Sequence, residues 1–169
     1  MKETIKKLSL DLNQRLMLCF YDLGRRISQS SQTLEHDSEF YRTLSEELLE
    51  KMGENGTFTV QNLKDLGTFY NLYQNYFSEF PFDYKKAMNG EFIPLSLYEI
   101  ICLPWAFHKM IIYKCDDVHE AFFYVEEAYF CKWDEHELAY HLQNNSFEDP
   151  NYKVDTTSRS FFGLLEGEK

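Results

Sequence analysis

Residues 60–77 read VQNLKDLGTFYNLYQNYF, and this stretch sets the expected fold class of the chain. Apolar and aromatic side chains recur every three or four residues, which predicts a helix buried over most of its circumference. Thr59 is placed to cap the start of this helix, and Pro81 stops its continuation. Because no run alternates apolar and polar residues over more than a few positions, the sequence predicts a mostly α fold.

One narrow stripe of this helix is polar. At about 100° per residue, it consists of Gln61, Lys64, Thr68, Asn71 and Asn75. Solvated helix faces usually carry Glu and Lys, whereas Asn and Thr are poor helix formers. One interpretation is a hydrogen-bonding face, because Gln and Asn amides can pair with adenine edges. The alternatives are an ordinary solvated stripe or a polar contact with a neighbouring helix.

Along the whole chain, the same periodicity predicts a single-domain bundle of about six helices. They span roughly 3–29, 38–52, 60–77, 96–114 with a kink at Pro104, 117–131 and 134–144. The second and third form a helix–turn–helix-like pair around Gly53–Thr59, with a longer turn than the compact motif. Residues 82–95 leave room for at most a small hairpin. We assign residues 1–145 to the helical domain and 146–169 to a tail whose apolar end either docks back or meets a partner.

Two of these helices carry distinctive apolar faces. In the first, we expect the recurring apolar residues to be buried: Leu12, Leu16, Cys19, Leu23 and Ile27. The helix 117–131 is apolar on two sides, with Phe123 and Phe130 on the second. A helix of this kind is central in a core or covered by a partner, and we favour the core.

The net charge and its distribution along the chain distinguish nucleic-acid partners from basic protein partners. The 169 residues include 17 Lys and Arg against 28 Asp and Glu, a net charge of −11, which weighs against a broadly basic nucleic-acid coat. Residues 1–26 are net +3, whereas 35–54 are net −5 and 116–137 net −7. The acidic segments supply candidates for contact with a basic protein: Glu46, Glu47, Glu50, Glu120, Glu126 and Glu127. The plainer alternative is that acidity aids solubility.

The chain lacks the residue spacings that define common catalytic and metal sites. His136-Glu137 resembles the start of HExxH, but Tyr140 stands at the second histidine position and His141 lies one residue late. The cysteines form no CxxC pair, and they are Cys19, Cys102, Cys115 and Cys131. We expect reduced thiols that fill the core, with no metal and no disulfide. With no phosphate loop, secretion signal or membrane span, we expect no enzyme, no cofactor and a cytoplasmic location.

Six segments in order resemble the N-terminal domain of the YhcG-type bacterial proteins, over residues 8–145. They are YDLGRRI (21–27), LSEEL (44–48), FTVQNL (58–63) followed by FY (69–70), LPWAFH (103–108), FY (123–124) and WDEHEL (133–138). The resemblance implies a helical nucleic-acid-binding or assembly module, which usually precedes a PD-(D/E)XK nuclease domain. No strand pattern in this sequence carries a D…(D/E)xK pair, so the resemblance implies no nuclease activity for this chain.

The resemblance also assigns roles. It implies that Gly24 permits close helix packing, and that polar matches could contact a ligand: Arg25, Arg26, Gln61, Asn62 and His108. This chain departs from the family pattern at Ala121, Asp134 and His136, where basic residues are replaced by neutral or acidic ones.

Two functions follow, beside a third hypothesis of a plain scaffold or oligomerisation domain that uses Phe161, Phe162, Leu164 and Leu165. The first is a non-enzymatic nucleic-acid-associated module, whose candidate contacts are Arg25, Arg26, Thr59, Gln61, Asn62, Lys64, Thr68 and Asn71. Here the start of the third helix reads the nucleic acid and the first helix contacts phosphates. The alternative is an acidic protein-interaction factor, such as a phage or mobile-element inhibitor that blocks a nuclease or CRISPR-type effector. The oligomeric state is left open.

Overall fold

The computed structural model describes residues 10–31, 38–53, 58–74, 83–91, 93 and 95–154. Over these ranges the chain forms helices and no strand, which confirms the mostly α prediction. The eight helices are α1 (Leu12–Ser31), α2 (Ser38–Met52), α3 (Val60–Tyr73), α4 (Tyr84–Met88), α5 (Leu95–Cys102), α6 (Trp105–Lys114), α7 (Val118–Cys131) and α8 (Glu135–Gln143). They group into two compact units, unit 1 (Met1–Pro94) and unit 2 (Leu95–Lys169).

The expected count of about six helices was too low for two reasons. Pro104 divides the predicted helix 96–114 into α5 and α6, because proline has no N–H to continue the hydrogen-bond ladder. Helix α4 occupies the segment 82–95, which was expected to be irregular with at most a small hairpin. Asp83 caps its start by accepting a hydrogen bond from the Lys86 N–H at 3.0 Å.

In unit 1, α1 packs along α3, while α2 packs on α3 and α4 on α1. Helix α1 begins at Leu12, where the Asp11 carboxylate accepts from the Gln14 N–H and the Gln14 side chain accepts from the Asp11 N–H. The predicted start near residue 3 lies outside the described residues. The two helices meet at Gly24. A Cβ there would lie 2.2 Å from the Leu66 carbonyl oxygen, so close packing at this glycine is confirmed.

The expected buried face of α1 is correct only in part. Ile27 is buried and Cys19 and Leu23 are half-buried, but Leu12 is 85% and Leu16 44% exposed, whereas Met17 and Tyr21 are buried. Met17 and Tyr21 share the side of the helix on which Gly24 meets α3. This contact places Leu12 and Leu16 outside the packed face.

Helix α3 is buried as predicted, through Leu63, Leu66, Phe69 and Tyr73. Its cap is also confirmed, because the Thr59 hydroxyl accepts from the Asn62 N–H at 3.2 Å. Helices α2 and α3 contact each other, with Gly53 at a φ of +82° directly after α2. Residues 54–57 of the connecting turn, and Asn75 at the far end of the polar stripe, lie outside the described residues.

In unit 2, α7 contacts α5, α6 and α8, and α6 also packs on α8. Phe122 and Val125 bury one face of α7. The chain itself covers the second face, since Phe123 packs against Phe147 and Tyr152, with ring centroids 5.6 and 5.4 Å away. The start of the expected tail thus lies on α7, while its apolar end, residues 161–165, falls outside the described residues.

His108 is a buried polar residue that ties α6 to α5. Its Nε2 is 2.8 Å from the Ile100 carbonyl oxygen, and since a carbonyl only accepts, Nε2 carries the proton. Burial lowers the pKa of His108 to about 4, against a smaller opposing effect of this hydrogen bond. His108 therefore cannot serve as the surface contact that the resemblance implied.

The cysteines divide by burial. Cys115 is buried, and Cys19 and Cys102 are half-buried, as expected for thiols that fill the core. Cys131 is exposed, which corrects the expectation for that residue. Burial, followed by the neighbouring Glu120 carboxylate, raises the pKa of Cys115 to about 12, so this thiol is a poor nucleophile.

Candidate nucleic-acid interface

The polar stripe of α3 is exposed at every position that the structure describes. Gln61, Lys64, Thr68 and Asn71 are solvent-exposed, whereas Asp65 is buried. Lys64 is therefore the one charged residue on the described part of this stripe, and its Nζ lies 5.6 Å from the centre of the Tyr41 ring.

Most polar groups of the stripe are engaged within unit 1. Gln61 Nε2 donates to Asp65 Oδ1 at 2.9 Å, and Thr68 Oγ1 donates to the Lys64 carbonyl oxygen at 3.2 Å. Asn71 Oδ1 accepts from Ser28 Oγ of α1 at 2.6 Å. For Asn71, the alternative of a polar contact between helices therefore applies.

The start of α3 uses Thr59 as a cap. The Asn62 N–H, which could otherwise meet a phosphate, donates to the Thr59 hydroxyl, and Asn62 itself is half-buried. Thr59, Gln61 and Lys64 are thus the exposed side chains nearest the positive end of the helix dipole.

Arg25 and Arg26 pair with a single carboxylate. Arg25 Nη2 is 2.5 Å from Asp22 Oδ1, and Arg26 Nε is 2.8 Å from Asp22 Oδ2. Burial acts to raise the pKa of Asp22, but the hydrogen bonds and charges of the two guanidinium groups outweigh it, so the pKa is lowered. Asp22 is 8% exposed and fixes both arginines at the surface of α1.

The structure adds basic residues that the sequence analysis did not single out. Lys85 and Lys86 are exposed on α4, in the segment that was expected to be irregular. Arg15 Nη1 donates to the Met88 carbonyl oxygen at 3.4 Å. The two adjacent lysines are visible in the sequence. Because no helix was predicted there, the sequence did not indicate which surface they occupy.

Helix α4 lies antiparallel to α1. Cys19 Sγ is 3.1 Å from the Tyr84 hydroxyl at the start of α4, while Arg15, one turn earlier in α1, reaches Met88 at the end of α4. The hydrogen bond with Cys19, together with burial, raises the pKa of Tyr84 to about 12. Tyr84 is therefore a neutral hydrogen-bonding link between the helices.

Residues 1–149 match the family model of the DUF1016 N-terminal domain. The chain belongs to this family. The match spans α1 to α8 and confirms the resemblance to the YhcG-type N-terminal domain. No curated protein and no solved structure matches the chain.

Two groups of acidic residues in this DUF1016 N-terminal domain differ in exposure. On α2, Glu46, Glu47 and Glu50 are exposed, and Glu46 lies 3.7 Å from Arg42. On α7 all three are more shielded: Glu120 and Glu126 are half-buried and Glu127 is fully buried.

Glu127 therefore departs from the prediction that it faces a partner. Its Oε2 accepts from the Tyr152 hydroxyl at 2.7 Å, and Cys131 Sγ lies 3.8 Å away. The carboxylate is an internal anchor for the segment after α8.

Two further features bear on function. Among the described residues, no three His, Cys, Asp or Glu side chains converge as a metal site, and no helix is long and apolar enough to cross a membrane. A groove of about 310 Å³ lies between α6 and α8, lined by Met110, Lys114, Ala139, Leu142 and Gln143.

Proposed function

We propose that the chain is a non-enzymatic module that associates with nucleic acid through unit 1. The exposed stripe at the start of α3 supports this most directly. It presents Gln61 and Lys64 beside a capped helix N-terminus, on a helix whose other faces are buried. A recognition helix approaches nucleic acid with its N-terminal residues in this manner.

Phosphate contacts dominate the binding that we propose. The Gln61 amide nitrogen and the Asn71 carbonyl oxygen already have partners, so pairing with a base edge requires an exchange of hydrogen bonds. Lys64 needs no such exchange to meet a phosphate. We therefore expect weak dependence on base sequence and strong dependence on salt.

The distribution of charge favours unit 1 as the contacting part. Residues 1–94 carry 11 Lys and Arg against 14 Asp and Glu, a net charge of −3, and residues 95–169 carry 6 against 14, a net charge of −8. Repulsion of a polyanion is accordingly weaker at unit 1.

Binding of labelled duplex DNA, single-stranded DNA and single-stranded RNA, followed by fluorescence anisotropy at increasing salt, tests the proposal. Lys64→Glu should weaken binding at least tenfold. Lys51→Glu on α2 makes the same change of charge at another exposed site and is the matched control. Absence of wild-type binding at low salt, or equal losses in the two variants, would contradict the proposal.

A second function, an acidic protein-interaction factor, is favoured by the surplus of acids in unit 2. Tyr113 and Tyr140 are each more than 60% exposed there, and tyrosine is enriched in protein interfaces. A phage or mobile-element inhibitor of this kind would occupy the basic channel of a nuclease or CRISPR-type effector.

A cleavage assay with a purified effector tests this second function. The wild-type chain should lower cleavage, and the triple reversal Glu46→Lys, Glu47→Lys and Glu50→Lys, or the pair Glu120→Lys and Glu126→Lys, should restore it. Inhibition that survives both sets of reversals would refute the electrostatic account.

A further inference from the structure

Four exposed basic side chains lie on α1 and α4, which pack against each other. Arg15 and Arg26 lie on one side of α1, since eleven residues make about three helical turns, and they are about 16 Å apart along the axis. Lys85 and Lys86 are exposed on α4, which runs alongside that part of α1. We call Arg15, Arg26, Lys85 and Lys86 the α1–α4 strip.

Within the two helices, the one acidic residue is Asp22, which is buried and holds Arg26. Two exposed carboxylates flank the helices as caps: Asp11 accepts from the Gln14 N–H at 2.8 Å, and Asp83 accepts from the Lys86 N–H. The exposed charged side chains within α1 and α4 are therefore all basic.

We propose that the α1–α4 strip holds the phosphodiester backbone of a nucleic-acid strand, whatever its base sequence. This inference rests on the proposed function, and it names the side chains that contact phosphate. Successive phosphates recur every 3.4 Å along a strand, so a strip of about 16 Å faces several of them.

The arginine geometry suits this partner. A guanidinium has five N–H donors in a planar fork that matches phosphate, and Arg26 uses its Nε for Asp22. The side chain of Arg26 is 67% exposed although one end is fixed, so binding costs it less side-chain entropy than a freely rotating lysine. Arg15 is held in the same way by the Leu10 and Met88 carbonyl oxygens.

Salt titration with matched double variants tests the strip. With the phosphate contact proposed for Lys64, the four strip contacts make five, which predict that affinity for duplex DNA falls about 500-fold between 50 and 200 mM salt, and three contacts predict about 40-fold. Lys85→Gln with Lys86→Gln removes two strip charges. Arg42→Gln with Lys51→Gln on α2 removes the same net charge away from the strip, and circular dichroism checks that both variants are folded.

The strip is supported if the α4 pair reduces the salt dependence to the three-contact value while the α2 pair keeps the wild-type value. Equal effects of the two pairs on a wild-type protein that does bind would overturn the strip and leave the proposed function standing. No binding by the wild-type protein would overturn both. Parallel titrations with single-stranded DNA and RNA show which nucleic acid supplies the phosphates.

Discussion

Replacing Gly24 with alanine tests the closest contact between two helices in unit 1. The added Cβ would lie 2.2 Å from the Leu66 carbonyl oxygen and 3.0 Å from Tyr70 Cβ. A carbon–oxygen contact needs about 3.3 Å, so α1 and α3 must separate by about 1 Å at this point. The obstacle is main chain within a helix, which cannot rotate away as a side chain can.

The cost follows from the packing that this separation loosens. A gap of 0.5–1 Å removes a quarter to a half of each van der Waals contact across it, and the α1–α3 seam is formed by fully buried side chains such as Met17, Leu63 and Phe69. Overpacking of this kind costs about 3 kcal/mol. Alanine recovers about 1 kcal/mol through its better helix propensity. We expect Gly24→Ala to lower the free energy of unfolding by about 2 kcal/mol, and Tm by about 4–8 °C.

Gly67→Ala is the matched control, because Gly67 is also a helical glycine on the packed side of α3. Its Cβ would be 3.4 Å from Ile27 Cγ2 and 3.9 Å from the Tyr41 hydroxyl, which are ordinary contacts. We therefore expect an unchanged or higher Tm for this variant.

Thermal unfolding followed by far-UV circular dichroism compares the two variants. Both tryptophans, Trp105 and Trp133, belong to unit 2, so tryptophan fluorescence shows whether that unit unfolds separately. A Gly24→Ala protein as stable as the wild type, or a Gly67→Ala protein that loses as much, would refute the argument from close approach.

Three further predictions concern caps and buried polar groups. Asp117→Ala should lower the free energy of unfolding by about 1 kcal/mol in urea titrations, because Asp117 caps α7 with two hydrogen bonds, and the exposed neighbour variant Asp116→Ala should change it little. The fold favours neutral His108, whose pKa is about 4 in the folded state and near 6.5 in the unfolded state. The free energy of unfolding should therefore fall by up to about 3 kcal/mol as the pH drops from 6.5 towards 4, and His108→Gln should flatten this dependence. Tyr152→Phe should lower the free energy of unfolding by about 2 kcal/mol, because it removes the hydrogen bond to the buried Glu127 carboxylate. A double-mutant cycle with Glu127→Gln measures the interaction energy between the two side chains.

Local signals in the sequence predicted the elements well, because capping and periodicity act within a few residues. Thr59 caps α3 as expected, and Asp117 caps α7 directly before its first residue. In the segment that was compared with HExxH, Asp134 and Glu137 form a reciprocal capping box at the start of α8.

Features that depend on distant residues were beyond such signals. The rotation of α1 depends on where Gly24 meets α3, so the periodicity wrongly indicated that Leu12 and Leu16 are buried. The burial of Glu127 depends on Tyr152, 25 residues later. The cationic role that we propose for α4 depends on its placement along α1, which no pattern within residues 82–95 expresses.

The hydrogen bond of Tyr152 to Glu127 lies beyond the end of the family match. The family match ends at residue 149, whereas the packed structure continues to Tyr152. A recombinant version trimmed to the family limit would leave the Glu127 carboxylate without this hydrogen bond and uncover part of Phe123. Side-chain contacts of the packed structure thus extend three residues beyond the region recognised by sequence similarity.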